Sequence, residues 1–495
     1  MGSRLKTRSL LVVLASVALS GAAFYLSEGL YPRWWAIWLA PLPVLCIVPR
    51  RSWAVASNIS LAAGLIGGLS MWEYHSRLQF PLWLKLVTLV MPAAAFCAGT
   101  LLFRVFCRRR RFWLAALAFP SLVVTYEYLT SQVFGTFGAT AYTQLNNLPV
   151  LQLDVLTGLW GVSFAVMLAP SMLAAILLSP ARTRQRLIVA FAAIFTGTLA
   201  YGLFRLSATP RVPHSVMVGL AASDLPRNLM PQNDADAMRL MRDYAAQTRL
   251  LAQRGAAIVV LPEMTALVRD SVSGDVDQIF EQTAHEVHIQ VLLGVLHATS
   301  NAVFNEARLY SESGTVKAVY RKHHLVPVVE RRTTPGNDIS VVEEPVGMIG
   351  LEVCRDMDYP DPARRYGKAR VGLVLTPAWD FDIDRLWHGH MAILRGIENG
   401  FSIVRAAKQG LLTVSDDRGR VLRETQTTPR EPFTTMLAAV PVRHDGTLYQ
   451  SWGDWFAWLN LAVTAGLLLS LVIRRPKEIR PGQKDGLKEM TGYLG

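Results

Sequence analysis

Long apolar runs alternate with short polar connections over the first 205 residues, and one more apolar run lies near the carboxyl end. Most of them approach the roughly 20 residues that a helix needs to cross a bilayer. The pattern predicts eight membrane-spanning segments, at residues 9–26, 34–48, 53–72, 82–106, 112–130, 156–178, 187–204 and 455–473. The second run is short and contains Pro41 and Pro43, so we expect it to be broken or partly re-entrant. The first could be a cleaved signal peptide, but further spans follow at once, which favours a retained anchor.

The periodicity changes between residues 206 and 452, where short apolar stretches typical of strands alternate with amphipathic stretches typical of helices. We predict strands at 215–220, 257–261, 290–295, 305–311, 316–320, 347–353, 372–375, 402–405, 410–414 and 435–440, and helices at 234–254, 276–287, 361–366 and 386–399. This order favours an α/β fold in which helices cover sheets. The predicted parts are a seven-span domain (1–205), an α/β domain (206–452), and a final helix with a basic tail (453–495).

Composition and charge place the α/β domain outside the membrane. Only 18% of the 495 residues are charged, against about 25% in soluble proteins. The net charge of +13 could suggest nucleic acid, but the arginines and lysines cluster on alternate connections between the spans. That bias places both termini in the cytoplasm and the α/β domain on the outer side. The basic run at 108–111 then lies beside anionic lipid, and we expect no nucleic-acid partner.

Cysteine usage isolates one thiol. Cys46, Cys97 and Cys107 lie in or beside predicted spans, so Cys354 has no partner for a disulfide within the α/β domain. A lone thiol in an oxidising compartment is either reactive or a small hydrophobic core residue. The cysteine by itself does not decide between these interpretations.

Two further residues at predicted strand ends favour a reactive thiol. Glu263 closes one strand, Lys322 ends a second, and Cys354 ends a third. A carboxylate can take the thiol proton, and a lysine can stabilise both the thiolate and a developing oxyanion. Alone, Glu263 could cap a turn and Lys322 could be solvated, but the three together predict a nucleophilic cysteine site.

The motifs around these residues resemble the nitrilase superfamily, specifically the membrane-bound apolipoprotein N-acyltransferases. Tyr320-x-Lys322-x-His324-Leu-Val-Pro-x-x-Glu330 matches the lysine motif of that family almost residue for residue. Leu-Pro-Glu263 is similar to its Trp-Pro-Glu, Cys354-Arg355-Asp356 to its Cys-Tyr-Glu, and Ala378-Trp379 to its Asp-Ala-Trp. The resemblance covers nearly the whole chain.

The resemblance implies an α-β-β-α sandwich joined to a transmembrane domain of about eight helices in the bacterial inner membrane. It implies that Cys354 takes an acyl chain from a phospholipid as a thioester and passes it to the α-amine of a lipoprotein's diacylglyceryl-cysteine. Glu263 and Lys322 would complete the catalytic set. The supporting residues would be Glu330, Arg355, Trp379, Tyr320 and His324. We expect a monomer that needs no cofactor and no metal.

Two departures from the family bear on the acceptor. Arg355 replaces the usual tyrosine after the nucleophile, and Lys408-Gln409-Gly410 replaces Asn-Asn-Gly. A fixed positive charge at Arg355 would repel a protonated amine. A membrane-anchored amidase that uses water as acceptor therefore stays open, whereas the intact Glu263, Lys322 and Cys354 argue against a non-catalytic binding module. His388 and His390 could bind metal, but two histidines without a cluster of other ligands are more often packed or exposed.

Overall fold

The computed structural model describes residues 2–208, 215–231, 233–327 and 329–473, with side chains from Leu10 onward. Its amino-terminal half is helical. The helices are α1 (Gly2–Ser27), α2 (Leu42–Ile47), α3 (Trp53–Gly68), α4 (Trp72–Arg77), α5 (Leu82–Arg108), α6 (Phe112–Phe134), α7 (Leu148–Leu151), α8 (Asp154–Thr157), α9 (Leu159–Leu178) and α10 (Ala181–Ser207). A last long helix, α16 (Trp455–Val472), packs against α6. The predicted basic tail lies outside the described residues.

Seven of the described helical segments are long and apolar enough to cross a membrane, one fewer than the eight predicted. The missing one is the predicted span 34–48, which forms consecutive turns, the six-residue helix α2 and one turn of 3-10 helix at Val48–Arg50. Prolines explain the difference, since Pro41 and Pro43 each remove a backbone donor and restrict the preceding residue. Seven predicted spans are thus long helices, and the segment 34–48 is broken, as its prolines led us to expect.

The irregular segment nevertheless runs from one end of the helical half to the other. Helices α1 and α3 are parallel, because Gly21 lies against Ile66 and Phe24, one turn later, lies against Gly67. Two consecutive parallel helices require the chain to return between them. At the far end of that return, Arg104 near the end of α5 donates to the Arg51 carbonyl at 2.8 Å.

The α/β half contains two mixed sheets. The first has the strand order β13-β1-β2-β4-β5-β6, with β3 also paired to β4, and the second has the order β12-β11-β10-β9-β8-β7. The strands are β1 (Ser215–Ala222), β2 (Ile258–Val260), β3 (Leu267–Arg269), β4 (Gln290–Ala298), β5 (Val303–Tyr310), β6 (Val316–Arg321), β7 (Ser340–Glu344), β8 (Gly347–Leu351), β9 (Leu373–Trp379), β10 (Ser402–Lys408), β11 (Leu411–Ser415), β12 (Val421–Gln426) and β13 (Thr434–Pro441).

Helices cover both outer faces, which gives the α-β-β-α sandwich. They are α11 (Asp234–Gln253), α12 (Asp270–Val287), α13 (Ala363–Lys368), α14 (Arg385–Asn399) and α15 (Leu448–Trp452). Apolar side chains from both sheets, such as Leu220, Leu351 and Val404, form the core between them. Every predicted strand and helix of this half is present, with boundaries within a few residues. The short strands β3, β7 and β12 were not predicted, because each is polar or only three to six residues long.

The two halves share one hydrophobic cluster. Helix α14 contributes Trp387, Met391, Leu394 and Ile397 to the core of the helical half. Burial of this apolar face against the helical half holds the α/β half in one orientation, because burying each side chain of this size stabilises the packed state by roughly 1.5–3 kcal/mol. The α/β half is therefore packed against the helical half and not merely connected to it by a linker.

Candidate active site

The thiol of Cys354 lies at the end of β8, where the chain turns sharply. Cys354 has φ +45°, a left-handed conformation that few residues other than glycine adopt, and it begins a 3-10 turn that extends to Asp358. Such strained positions concentrate at functional sites. The Sγ atom lies 3.6 Å from the Trp379 carbonyl oxygen, to which the thiol donates. The turn thus presents the sulfur away from its own strand.

Glu263 and Lys322 come together as predicted. Lys322 Nζ donates to Glu263 Oε1 at 2.7 Å and to Glu330 Oε2 at 2.9 Å. All three side chains are almost fully buried. Glu330 is in turn held by the backbone N–H of Val326 at 2.6 Å. Two carboxylates fix the ammonium from opposite sides, so Lys322 has one defined position.

Asn305 completes this group and was missed by the sequence reasoning. Its side-chain nitrogen donates to Glu263 Oε1 and to Glu330 Oε1, at 2.7 Å each, so it bridges the two carboxylates. The Asn305 carbonyl also accepts from the Lys322 backbone N–H at 2.9 Å. One signal was available, because asparagine is depleted in strands and this one is buried within β5.

Burial sets the protonation of the nucleophile. It raises the pKa of the Cys354 thiol well above its usual value, and the nearby Glu263 raises it further, against the lowering effect of Lys322. Burial alone would lower the pKa of Lys322, but Glu263, Cys354 and Glu330 more than offset this and raise it. The resting site therefore holds a neutral thiol beside a charged lysine. A base must remove the thiol proton during the reaction.

Tyr320 and His324 both bind Asp356, which lies in the turn that Cys354 begins. Tyr320 Oη donates to Asp356 at 2.7 Å, and the backbone N–H of His324 donates to it at 2.8 Å. Burial would raise the pKa of Asp356, but hydrogen bonds from His324 and Tyr320 hold it below its ordinary value. The aspartate ties the turn of Cys354 to the loop after Lys322. Tyr320 and His324, both predicted as supporting residues, thus act on the site through Asp356.

Arg355 is less available than its position beside the nucleophile suggests. Its guanidinium donates to the Leu325 carbonyl and to Tyr359 Oη, and its Nε lies 3.8 Å from Asp358. The ring of Tyr359 stacks on His324 with centroids 3.8 Å apart. The expected repulsion of an amine is therefore weakened, because a carboxylate on the same turn partly balances the Arg355 charge.

Trp379 borders the site at the end of β9. Its carbonyl faces the thiol, and its indole N–H donates to Gln409 Oε1 at 2.8 Å. Next to it, Asp380 forms a bidentate ion pair with buried Arg405, with Asp380 Oδ2 and Arg405 Nη1 2.9 Å apart. Such a fork is rigid and strong. The pair anchors the short loop between β9 and the helix that begins at Arg385.

The nucleophile's turn rests directly on the helical half. Thr136, just after α6, donates to the Asp358 carbonyl from both its N–H and its hydroxyl, at 2.8 and 2.7 Å. Arg395 donates to Thr136 Oγ1 at 2.7 Å, to Tyr142 Oη at 2.8 Å and to the Met357 carbonyl at 3.0 Å. The helical half therefore contributes to the position of Cys354.

The two histidines considered as metal ligands have ordinary partners. His388 Nδ1 lies 3.1 Å from Asp384, and burial is outweighed by Asp384 and neighbouring carboxylates, which raise its pKa to about 9. His390 Nε2 lies 2.8 Å from Glu424 on β12. The two imidazoles thus contact separate carboxylates.

Comparison with known proteins agrees with both halves. Residues 20–172 match the model of the apolipoprotein N-acyltransferase N-terminal domain, and residues 225–441 match that of carbon-nitrogen hydrolases. The chain belongs to the apolipoprotein N-acyltransferase family. It is an acyltransferase built on a nitrilase-like fold, and a multi-pass membrane protein.

Two similar relatives match over nearly their whole length, and two other proteins match the α/β half. The apolipoprotein N-acyltransferase of Geobacter metallireducens is 25% identical over 94% of this chain and 95% of its own. That of Nitrosomonas europaea is 24% identical over 92% of this chain and 98% of its own. Human deaminated glutathione amidase is 27% identical over 41% of this chain and 71% of its own. An amidase from Nesterenkonia sp., at 18% identity and a TM-score of 0.42, covers 52% of this chain and 99% of its own.

Proposed function

We propose that this protein transfers an acyl chain from a phospholipid to the α-amine of the diacylglyceryl-cysteine of a lipoprotein, through a thioester on Cys354. The observation that carries the proposal is the buried group of Glu263, Lys322 and Glu330 beside a thiol on a strained turn. The names of the relatives that match the whole chain support lipoprotein N-acylation.

In the first half-reaction Glu263 takes the Cys354 proton, and the sulfur attacks an ester carbonyl of the phospholipid. A carbon–sulfur bond forms, and the oxyanion is stabilised by Lys322 and a backbone N–H beside Cys354. The carbon–oxygen bond then breaks, and Glu263 returns the proton to the departing glycerol oxygen. The products are a lysophospholipid and the acyl-enzyme.

In the second half-reaction the neutral α-amine attacks the thioester carbonyl. The carbon–nitrogen bond forms, Glu263 accepts the excess proton of the amine and transfers it to the departing sulfur, and the free thiol is restored. Asn305 and Glu330 hold Glu263 and Lys322 in place through both steps. The partial balance of Arg355 by Asp358 reduces the repulsion that an amine acceptor would meet.

The membrane supplies both substrates in this proposal. Because the turn of Cys354 docks on Thr136 at the end of α6, lipid that enters beside the helical half reaches the sulfur without crossing bulk water. Excluding water also protects the thioester from hydrolysis. The charge bias between the spans supports a bacterial inner-membrane protein with a periplasmic α/β domain and cytoplasmic termini. The protein would act as a monomer.

Mass spectrometry of the purified protein after incubation with phospholipid tests the donor step. We expect one acyl mass on the peptide that contains Cys354, absent from Cys354→Ala. Complementation tests the acceptor: in cells depleted of their own N-acyltransferase, the protein should restore triacylated lipoprotein. Diacyl product alone, from an enzyme that forms the thioester, would reject the lipoprotein acceptor. Cleavage of small amides without any thioester from phospholipid would favour the amidase, the activity for which the human relative is named.

A further inference from the structure

Lys408 is a fully buried lysine that the reaction described above does not use. It ends β10 of the second sheet, and its ammonium donates to two backbone carbonyls, those of Met264, at 2.8 Å, and Leu229. The ammonium nitrogen also lies over the ring of Trp379, 3.8 Å from the ring centroid. Two carbonyls and an aromatic face together satisfy an ammonium without a carboxylate partner.

Both carbonyls belong to loops that follow strands of the first sheet, whereas Lys408 ends a strand of the second sheet. Met264 directly follows Glu263 and has φ +46°, so the backbone there is held in a conformation that its own preferences disfavour. Leu229 lies in the loop after β1. Lys408 thus connects the strand end beside Trp379, whose carbonyl faces the thiol, with the turn that presents the base.

We propose that Lys408 is a positioning residue for the transfer reaction: it ties the turn that presents Glu263 to the strand end beside Trp379, and it holds that turn more firmly when its ammonium is charged. The inference rests on the proposed role of Glu263. It assigns a task to a residue at which this chain departs from its family, since asparagine there would carry no charge.

The charged groups that face Lys408 are few. Burial lowers its pKa to about 7, while Glu263 and Asp224 act in the opposite direction. Arg405, on the same strand, is already paired with Asp380. Near neutrality Lys408 therefore changes charge beside Glu263. A charged ammonium donates more strongly to the two carbonyls, and binds the Trp379 ring more strongly, than a neutral amine does, so Lys408 holds the Glu263 turn most firmly below that pH.

The rate at which iodoacetamide alkylates Cys354, followed by mass spectrometry of its peptide from pH 5.5 to 8.5, tests this role in the full-length protein. The wild-type rate should show an inflection near pH 7. Lys408→Met should alkylate about tenfold more slowly at neutral pH and lose the inflection. Lys408→Gln, which keeps a donor but no charge, should recover part of the rate and none of the inflection. Exposed Lys368→Met is the matched control and should behave as wild type.

A Lys408→Met protein with the wild-type rate and the wild-type inflection would overturn the proposal. A purely structural lysine would lower the fraction of folded protein and leave the pH profile of the folded fraction unchanged, which would also overturn it. Should Lys408→Met fail to fold, Lys408→Gln decides by the inflection alone. Alkylation needs neither phospholipid nor lipoprotein, so this result stands apart from the donor and acceptor tests.

Discussion

Lys322 Nζ and Glu263 Oε1 lie 2.7 Å apart, with side chains that are only 1% and 2% exposed. A buried pair of this kind adds little stability by itself, but removing one partner leaves the other charge in a low dielectric. Here the lysine serves two carboxylates, so the consequences of removing it and of removing Glu263 differ.

Lys322→Met should therefore cost both activity and stability. We expect at least a hundredfold loss of thioester formation and a fall of about 3–5 kcal/mol in the free energy of unfolding. Glu263→Gln should lose a similar factor in rate with a smaller loss of stability, because Lys322 keeps Glu330. Thioester mass and thermal unfolding measure the two effects. A Lys322→Met enzyme that acylates normally would make the lysine structural.

Cys354→Ala should abolish thioester formation while the protein still inserts and folds, because the thiol supplies the covalent bond. Cys354→Ser should be nearly as inactive, since a buried hydroxyl is far harder to ionise than a thiol. Because the thiol pKa is raised, its thiolate forms only above the ordinary range near 8.5. Alkylation of Cys354 in Glu263→Gln should therefore be slow at pH 7 and rise at alkaline pH. Turnover in the alanine variant would reject the mechanism.

The parts of the site that the sequence predicted are those with a local signal. Glu263, Lys322 and Cys354 each follow an apolar strand, and strand ends of a layered α/β fold meet at one edge. Asn305 carries no such signal, because its role depends on pairing between β5 and β6 rather than on its neighbours in sequence. The contacts of Arg355 could not be predicted for the same reason. Its partners Leu325 and Asp358 are brought to it by the turn of the chain.

The helical half shows where hydropathy alone is insufficient. Seven of the eight predicted spans correspond to long helices, because length and apolar composition determine them. The segment 34–48 has the composition of a span but not its regular structure, because two prolines interrupt the hydrogen bonds. The direction in which this segment runs follows from the parallel packing of α1 and α3. A hydropathy pattern does not reveal such a tertiary contact.

Asn305→Ala should remove the two hydrogen bonds through which the amide connects Glu263 and Glu330. We expect the thioester rate to fall about tenfold or more, since Glu263 loses a donor that fixes its position. Asn305→Asp should be worse, because a third carboxylate would face Glu263 and Glu330 across hydrogen-bond distance. Asn301→Ala, at an exposed turn before β5, is the control. Equal rates in wild type, Asn305→Ala and Asn305→Asp would show that the bridge has no role in catalysis.

The irregular segment predicts an unusual labelling pattern. Exposed Arg33 and Arg50 lie at its two ends, so Arg33→Cys should react with a membrane-impermeant maleimide from the periplasm and Arg50→Cys only after the membrane is opened. Reporter fusions at Ser300 and Lys488 should likewise report opposite sides. If Arg33→Cys and Arg50→Cys label from the same side, the segment does not cross.

Arg395 links the two halves of the protein at the turn of Cys354. It donates to Thr136 and Tyr142 of the helical half and to the Met357 carbonyl, and it pairs with buried Glu398. A lysine cannot reproduce this planar fork. Arg395→Lys should therefore weaken the docking of the turn on the helical half. We expect thioester formation from phospholipid to fall at least tenfold, while alkylation of Cys354 by iodoacetamide changes less than threefold.

Half-buried Arg385, the first residue of α14, offers a matched control. Arg385→Lys should leave both rates unchanged, because its partners, Asp382 Oδ1 and the Asp382 carbonyl, lie on the surface. Equal losses of lipid-dependent acylation and of alkylation in Arg395→Lys would mean that the arginine only stabilises the fold. A selective loss of the lipid-dependent step would mean that the helical half delivers the donor to Cys354 through this contact.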